Sequence, residues 1–165
     1  MSTLWPYFWP ALGAGLITGI ITGAFAFRRT HRRHATLAIG VLAALASVGL
    51  WHGPLGAADR LSRAIERDVR TTLVNYEIPE VSGHLHRGPL TRRVLLSGPA
   101  DDFQRSELVR LIGEVPGVSS ASWSNGRGVP LIVEGGGAAV LGFLFGLLLA
   151  YLVEIRRRYN AQFNW

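Results

Sequence analysis

The run Trp5–Phe27 holds no charged residue over 23 positions and ends on Arg28 and Arg29. A bilayer core of roughly 30 Å needs about 20 helical residues, so a run of this length predicts a membrane-spanning helix. Two further runs follow, Ala35–Trp51, short but adequate, and Leu131–Ile155. A cleavable signal peptide is the competing reading of the first run. It fails because no basic residue precedes the run and four Arg follow it. With 165 residues, 48% of them hydrophobic and 17% charged, the chain suits one small domain or a membrane bundle. The expected architecture is membrane α-helical, with three transmembrane helices, plus a small α/β domain outside the bilayer.

Charge placement sets the expected orientation. All 17 basic residues are Arg, and the net charge of +6 would ordinarily suggest nucleic acid. Between Gly53 and Pro130, however, ten Arg meet nine acids, and the excess sits in Arg28, Arg29, Arg32, Arg33 and Arg156, Arg157, Arg158. Each cluster follows an apolar run, the positive-inside pattern of a membrane protein, so nucleic acid is not an expected partner. The loop 28–34 and the tail 156–165 then face the cytoplasm. Residues 1–52, with helices at about 5–27 and 35–51, start outside. Residues 53–130 lie outside as a domain and linker, and 131–155 cross back. In a bacterium the outside is the periplasm and the membrane is the inner one. Trp5, Tyr7, Trp9 and Trp51 would form an outer aromatic belt, with Tyr159 and Trp165 beyond the inner face.

Small residues recur at four-residue spacing in these runs. The first has Ala11, Gly15, Gly19 and Gly23; the third has Ala138, Gly142, Gly146 and Ala150; the second has Gly40 and Ala44. Such rows let helix backbones approach closely in lipid. Three helices need little small surface for themselves, so the rows also point toward another integral membrane protein.

Residues 57–124 read as helix, strand, strand, helix, strand. Leu61, Ile65, Val69 and Leu73 make an apolar stripe, with Arg60, Arg63, Arg67 and Arg70 on another face. Val81, Gly83 and Leu85 alternate with Ser82, His84 and His86. Arg92–Ser97 gives a second strand after a Gly88-Pro89 turn. Asp101 with Gln104 opens the next helix as a capping box, with Leu108, Leu111, Ile112 and Val115 on its core face. Val118–Trp123 is the third strand, followed by a polar linker at 124–130. This order, "RRVLLSG" on the second strand and "LVRLIGEVPGVSSASW" at the end, resembles a BON domain over about 65 residues. Gly98 would match the family glycine, and Val115-Pro116-Gly117-Val118 the closing turn. The hairpin bearing Arg87, Arg92 and Arg93 is longer and more basic than that pattern. The resemblance implies a binding module for lipids, wall-associated systems or partner proteins, with no catalytic residue.

The residues themselves suggest no enzyme. Cysteine is absent, which excludes disulfides, thiolate metal sites and cysteine nucleophiles. His84 and His86 share a strand face without a third ligand, so no metal site is expected. His31, His34 and His52 lie outside the bilayer core, so no cofactor is expected, and no small-molecule substrate is evident. Glu134 favours the start of its helix, and Glu154 can pair with Arg158. The expectation is therefore a non-catalytic accessory or scaffold subunit of a larger inner-membrane complex, respiratory and photosynthetic ones included. It would bind membrane lipids and other integral membrane proteins. The alternative is an envelope-maintenance protein. In either reading Arg60, Arg63, Arg67, Arg70, Arg87, Arg92 and Arg93 would contact a partner or headgroups.

Overall fold

The structure is a computed structural model, and it describes residues 3–28 and 32–163, the side chain of Phe163 excepted. Arg29, His31 and Trp165, named above, lie outside the described residues. The elements are α1 (Trp5–Ala26), α2 (Arg33–His52), α3 (Ala57–Asn75), β1 (Ser82–Arg87), β2 (Leu90–Ser97), α4 (Asp102–Gly113), β3 (Ser120–Ser122) and α5 (Leu131–Phe163). Three of them, α1, α2 and α5, are long and apolar enough to cross a membrane. The chain divides into two compact units. One comprises residues up to Tyr7 together with Gly56–Glu134, and the other comprises Phe8–Leu55 and the chain from Gly135.

The first unit is a three-stranded sheet in the order β1-β2-β3, with β1 antiparallel and β3 parallel to β2. Leu85 pairs with Val94, and Val94 with Ala121, so one face collects the apolar positions of all three strands. Against them lie Ile65 and Val69 of α3 and Ile112 of α4, essentially without exposure. The stripe on α3 is buried as its four-residue spacing requires. In α4 the Gln104 N–H donates to Asp101 Oδ1 at 2.7 Å and the Asp101 N–H donates to Gln104 Oε1 at 3.2 Å. That closes the capping box. Leu111 differs from expectation: it is half-buried, at the rim of an apolar recess with Tyr76, Ile78 and Phe103.

Two glycines hold backbone that no other residue accepts readily. Gly98 and Gly117 have φ of +137° and +98°. A Cβ on Gly98 would stand 2.6 Å from the Glu80 carbonyl oxygen, and one on Gly117 would stand 2.9 Å from Ile65 Cγ1. Tyr7, expected in an outer aromatic belt, is instead 2% exposed, and its hydroxyl donates to the Leu131 carbonyl at 3.4 Å. A phenol with an apolar ring and a polar tip is as well suited to a core position with one carbonyl in reach.

In the second unit α5 continues to Phe163, past the expected end at Ile155. Arg, Ala and Gln after position 155 are good helix formers, and no Gly or Pro there breaks the turn. Glu154 accepts from Arg158 Nε at 3.0 Å across that boundary, a helical i,i+4 pair.

Candidate functional site

A groove of about 460 Å³ runs between α3 and β1 in the first unit. Leu73, Val74, Pro79 and Val81 supply apolar wall, and Arg67, Arg70 and His84 supply positive or protonatable groups. Helix periodicity explains the placement. Arg67 and Arg70 are three apart, on the flank of the buried Val69. His84 stands on the alternate, exposed positions of β1.

Glu66 is the acid at this groove, and its charge is already engaged. Oε1 accepts from the Leu85 N–H at 3.1 Å, and both oxygens accept from Arg87 Nη2 at 3.1 and 3.0 Å. β1 is an edge strand, and its outward N–H groups are open to pairing. The Leu85 N–H points outward to Glu66, so the two-residue period puts the Gly83 N–H on the same edge. Arg67 and Arg70 have no side-chain hydrogen bond or ion pair among the described residues. The groove therefore offers two guanidinium groups and a backbone donor, and Glu66, the acid that lines it, is already engaged.

The other sequence-flagged Arg residues go elsewhere. Arg60 and Arg63 are exposed near the start of α3, and Arg63 Nε donates to the Asp59 carbonyl of its own helix. Arg92 and Arg93 differ from an open basic hairpin. Arg92 is half-buried and binds both oxygens of Glu134, at 2.7 and 3.2 Å. Arg93 donates to Ser122 Oγ at 3.0 and 2.8 Å, and to the carbonyls of Ser124 and Arg127. It thereby ties down the polar linker at 124–130. His86 Nδ1 lies 3.2 Å from the Pro89 carbonyl, while His84 is exposed. Among the described residues no three His, Asp or Glu side chains gather as a metal site.

The small-residue rows lie in the second unit and face one another. A Cβ on Gly15 or Gly19 would run into the carbonyls of Ala139 or Phe143. One on Gly142 or Gly146 would run into those of Leu12 or Leu16. Gly23 sits 2.6 Å from Ala150 Cβ by the same measure. Ala11, Val48 and Ala139 form one buried cluster with Ala138 packed against it, and Gly40 and Ala44 of α2 are buried, Gly40 beneath Thr22. Of the two uses the rows left open, packing within the chain or against another protein, α1 and α5 show the first: they turn these residues on each other. Close backbone approach between two helices consumes both rows at once, and spacing alone does not say which helix is opposite.

No family model, curated protein or solved structure matches the chain. What the site can do is read from its own chemistry. Two unpaired guanidinium groups beside a strand edge and an apolar wall favour an extended, acidic ligand. Glu66 was the residue that sequence reading passed over, because nothing in a helix repeat marks which acid will reach across to a strand.

Proposed function

We propose that this chain is a membrane-anchored, non-catalytic subunit whose BON-like unit docks an acidic, extended segment of another envelope protein in the α3/β1 groove. Its N-terminus and that unit face the periplasm, and its C-terminus faces the cytoplasm. The observation that carries the reading is the pair Arg67 and Arg70, unpaired beside an edge strand while the neighbouring Glu66 is engaged. Three helices of spanning length and apolarity support the anchor. The element order and the glycines at 98 and 117 support the BON-like reading.

Gentle detergent extraction of tagged full-length protein tests this. A discrete large assembly is expected, and Arg67→Glu with Arg70→Glu should release the partner. A small free species from the wild type, or an assembly indifferent to both reversals, would reject it. Orientation is tested separately by a periplasm-only reporter fused after Trp165, which should be silent. An active reporter there reverses the layout.

A further inference from the structure

We propose that the helical unit seats one anionic phospholipid, its headgroup at the Arg-lined end of α1, α2 and α5 and one acyl chain in the groove between α1 and α2. The proposal rests on the reading that these helices cross a membrane. It is independent of the groove in the α/β unit.

Guanidinium groups are gathered and oriented at this end. Glu154 is buried, and it holds Arg158 at 3.0 Å, Arg157 at 3.6 Å and Arg28 at 4.0 Å. Arg158 Nη2 also donates to the Phe27 carbonyl at 3.1 Å. Arg33 stands 5.2 Å over the Phe27 ring, which leans on Tyr151 with centroids 5.6 Å apart. One carboxylate thus faces three cations, a fourth, Arg33, stands on the Phe27 ring, and Arg28, Arg157 and Arg158 remain 57–65% exposed. The excess of positive charge is fixed in place by Glu154 and Phe27. It suits a phosphodiester, which presents acceptors without a cation, better than a zwitterionic head whose ammonium it would repel.

The second observation lies beside the first. A groove of about 300 Å³ is lined by Ile21, Thr22, Phe25, Thr36, Ile39 and Ala43. It begins at Thr36, less than a turn beyond Arg33, and reaches Ala43, about 10 Å along the axis at 1.5 Å per residue. Two of its three threonine hydroxyls, those of Thr36 and Thr18, are taken up by backbone of their own helices. Thr36 Oγ1 donates to the Arg32 carbonyl at 3.1 Å, and Thr18 Oγ1 to the Ala14 carbonyl at 2.8 Å. The wall left to an occupant is mostly methyl and ring surface, from Ile21, Phe25, Ile39 and Ala43. Cationic mouth and apolar trough together match one amphiphile, whereas free phosphate would use the mouth alone.

Native mass spectrometry of the full-length protein in mild detergent, with equal phosphatidylglycerol and phosphatidylcholine added, tests the seat. Phosphatidylglycerol should be retained about tenfold better, and Arg28→Gln with Arg33→Gln should lower its retention about fivefold for each Arg removed. Ala43→Phe fills the trough from an exposed position and should also lower that retention, with helical content unchanged. Equal retention of the two lipids overturns the proposal. So does a preference that survives either variant, or displacement of the lipid by inorganic phosphate. Carbonate extraction separates this from the anchor: release of the chain from membranes rejects spanning, whatever the lipid result.

Discussion

Replacing Ile65 with Ala probes the point on which the α/β unit is built. Ile65 is without exposure, on the stripe of α3, and Gly117 folds its backbone directly against it. The change removes three carbon groups at about 0.8 kcal/mol each. A cavity term of about 24 cal/mol per Å³ raises the cost to about 3–5 kcal/mol at so fully buried a position. Hydrogen exchange on the full-length protein, read on peptides within residues 57–122, measures it locally. At 1.4 kcal/mol per tenfold, protection of the core amides should fall by about a hundredfold or more. Val74→Ala on the same helix is the control, since Val74 is 56% exposed and should cost within about 0.5 kcal/mol. Equal losses for Ile65→Ala and Val74→Ala would refute the assignment of the core.

Gly117→Ala combines a positive φ with a methyl 2.9 Å from Ile65 Cγ1. It should cost about 2–4 kcal/mol, and pairing it with Ile65→Ala should cost less than the two separately, in the same exchange measurement. Gly19→Leu or Gly146→Leu should part α1 from α5 and lower the detergent melting temperature, because each new side chain meets backbone and not a yielding side chain. Unchanged melting for both would remove the close-packing account. Glu134→Gln strips the charge from the Arg92 pair, in which both partners are 21% exposed. A loss of about 1–3 kcal/mol is expected, with faster exchange in β2, and no change would show the pair to be idle. His84→Ala with His86→Ala should leave exchange in β1 and β2 within about 0.5 kcal/mol of wild type.

Local patterns in the sequence carried the elements, and distant pairings carried what they missed. The three apolar runs are readable because length against bilayer thickness is a one-dimensional criterion. The stripe on α3 and the Asp101/Gln104 box are readable because helix geometry couples residues three and four apart. Arg92 and Arg93 are different. Their partners lie 42 and 29 positions away, at Glu134 and Ser122, and no repeat connects them. An Arg beside a turn reads as exposed charge until the acid or hydroxyl that takes it is known. The small-residue rows were legible as packing faces, but not as each other's partners. At the candidate groove, Arg67 and Arg70 were visible as one face of a helix, while the engagement of Glu66 by the β1 edge was not.

The bond from Tyr7 to the Leu131 carbonyl joins residues 124 apart in the sequence. Its consequence lies in the timing of synthesis. Tyr7 belongs to a unit whose contact with it comes near the start of α5. A nascent chain halted at Ser124 would already contain every strand and both helices of the α/β fold, yet Tyr7 would still await its acceptor. The Tyr7 bond cannot form until residue 131 has been made, so this one seal on the unit is set late, by elongation and not by local folding speed.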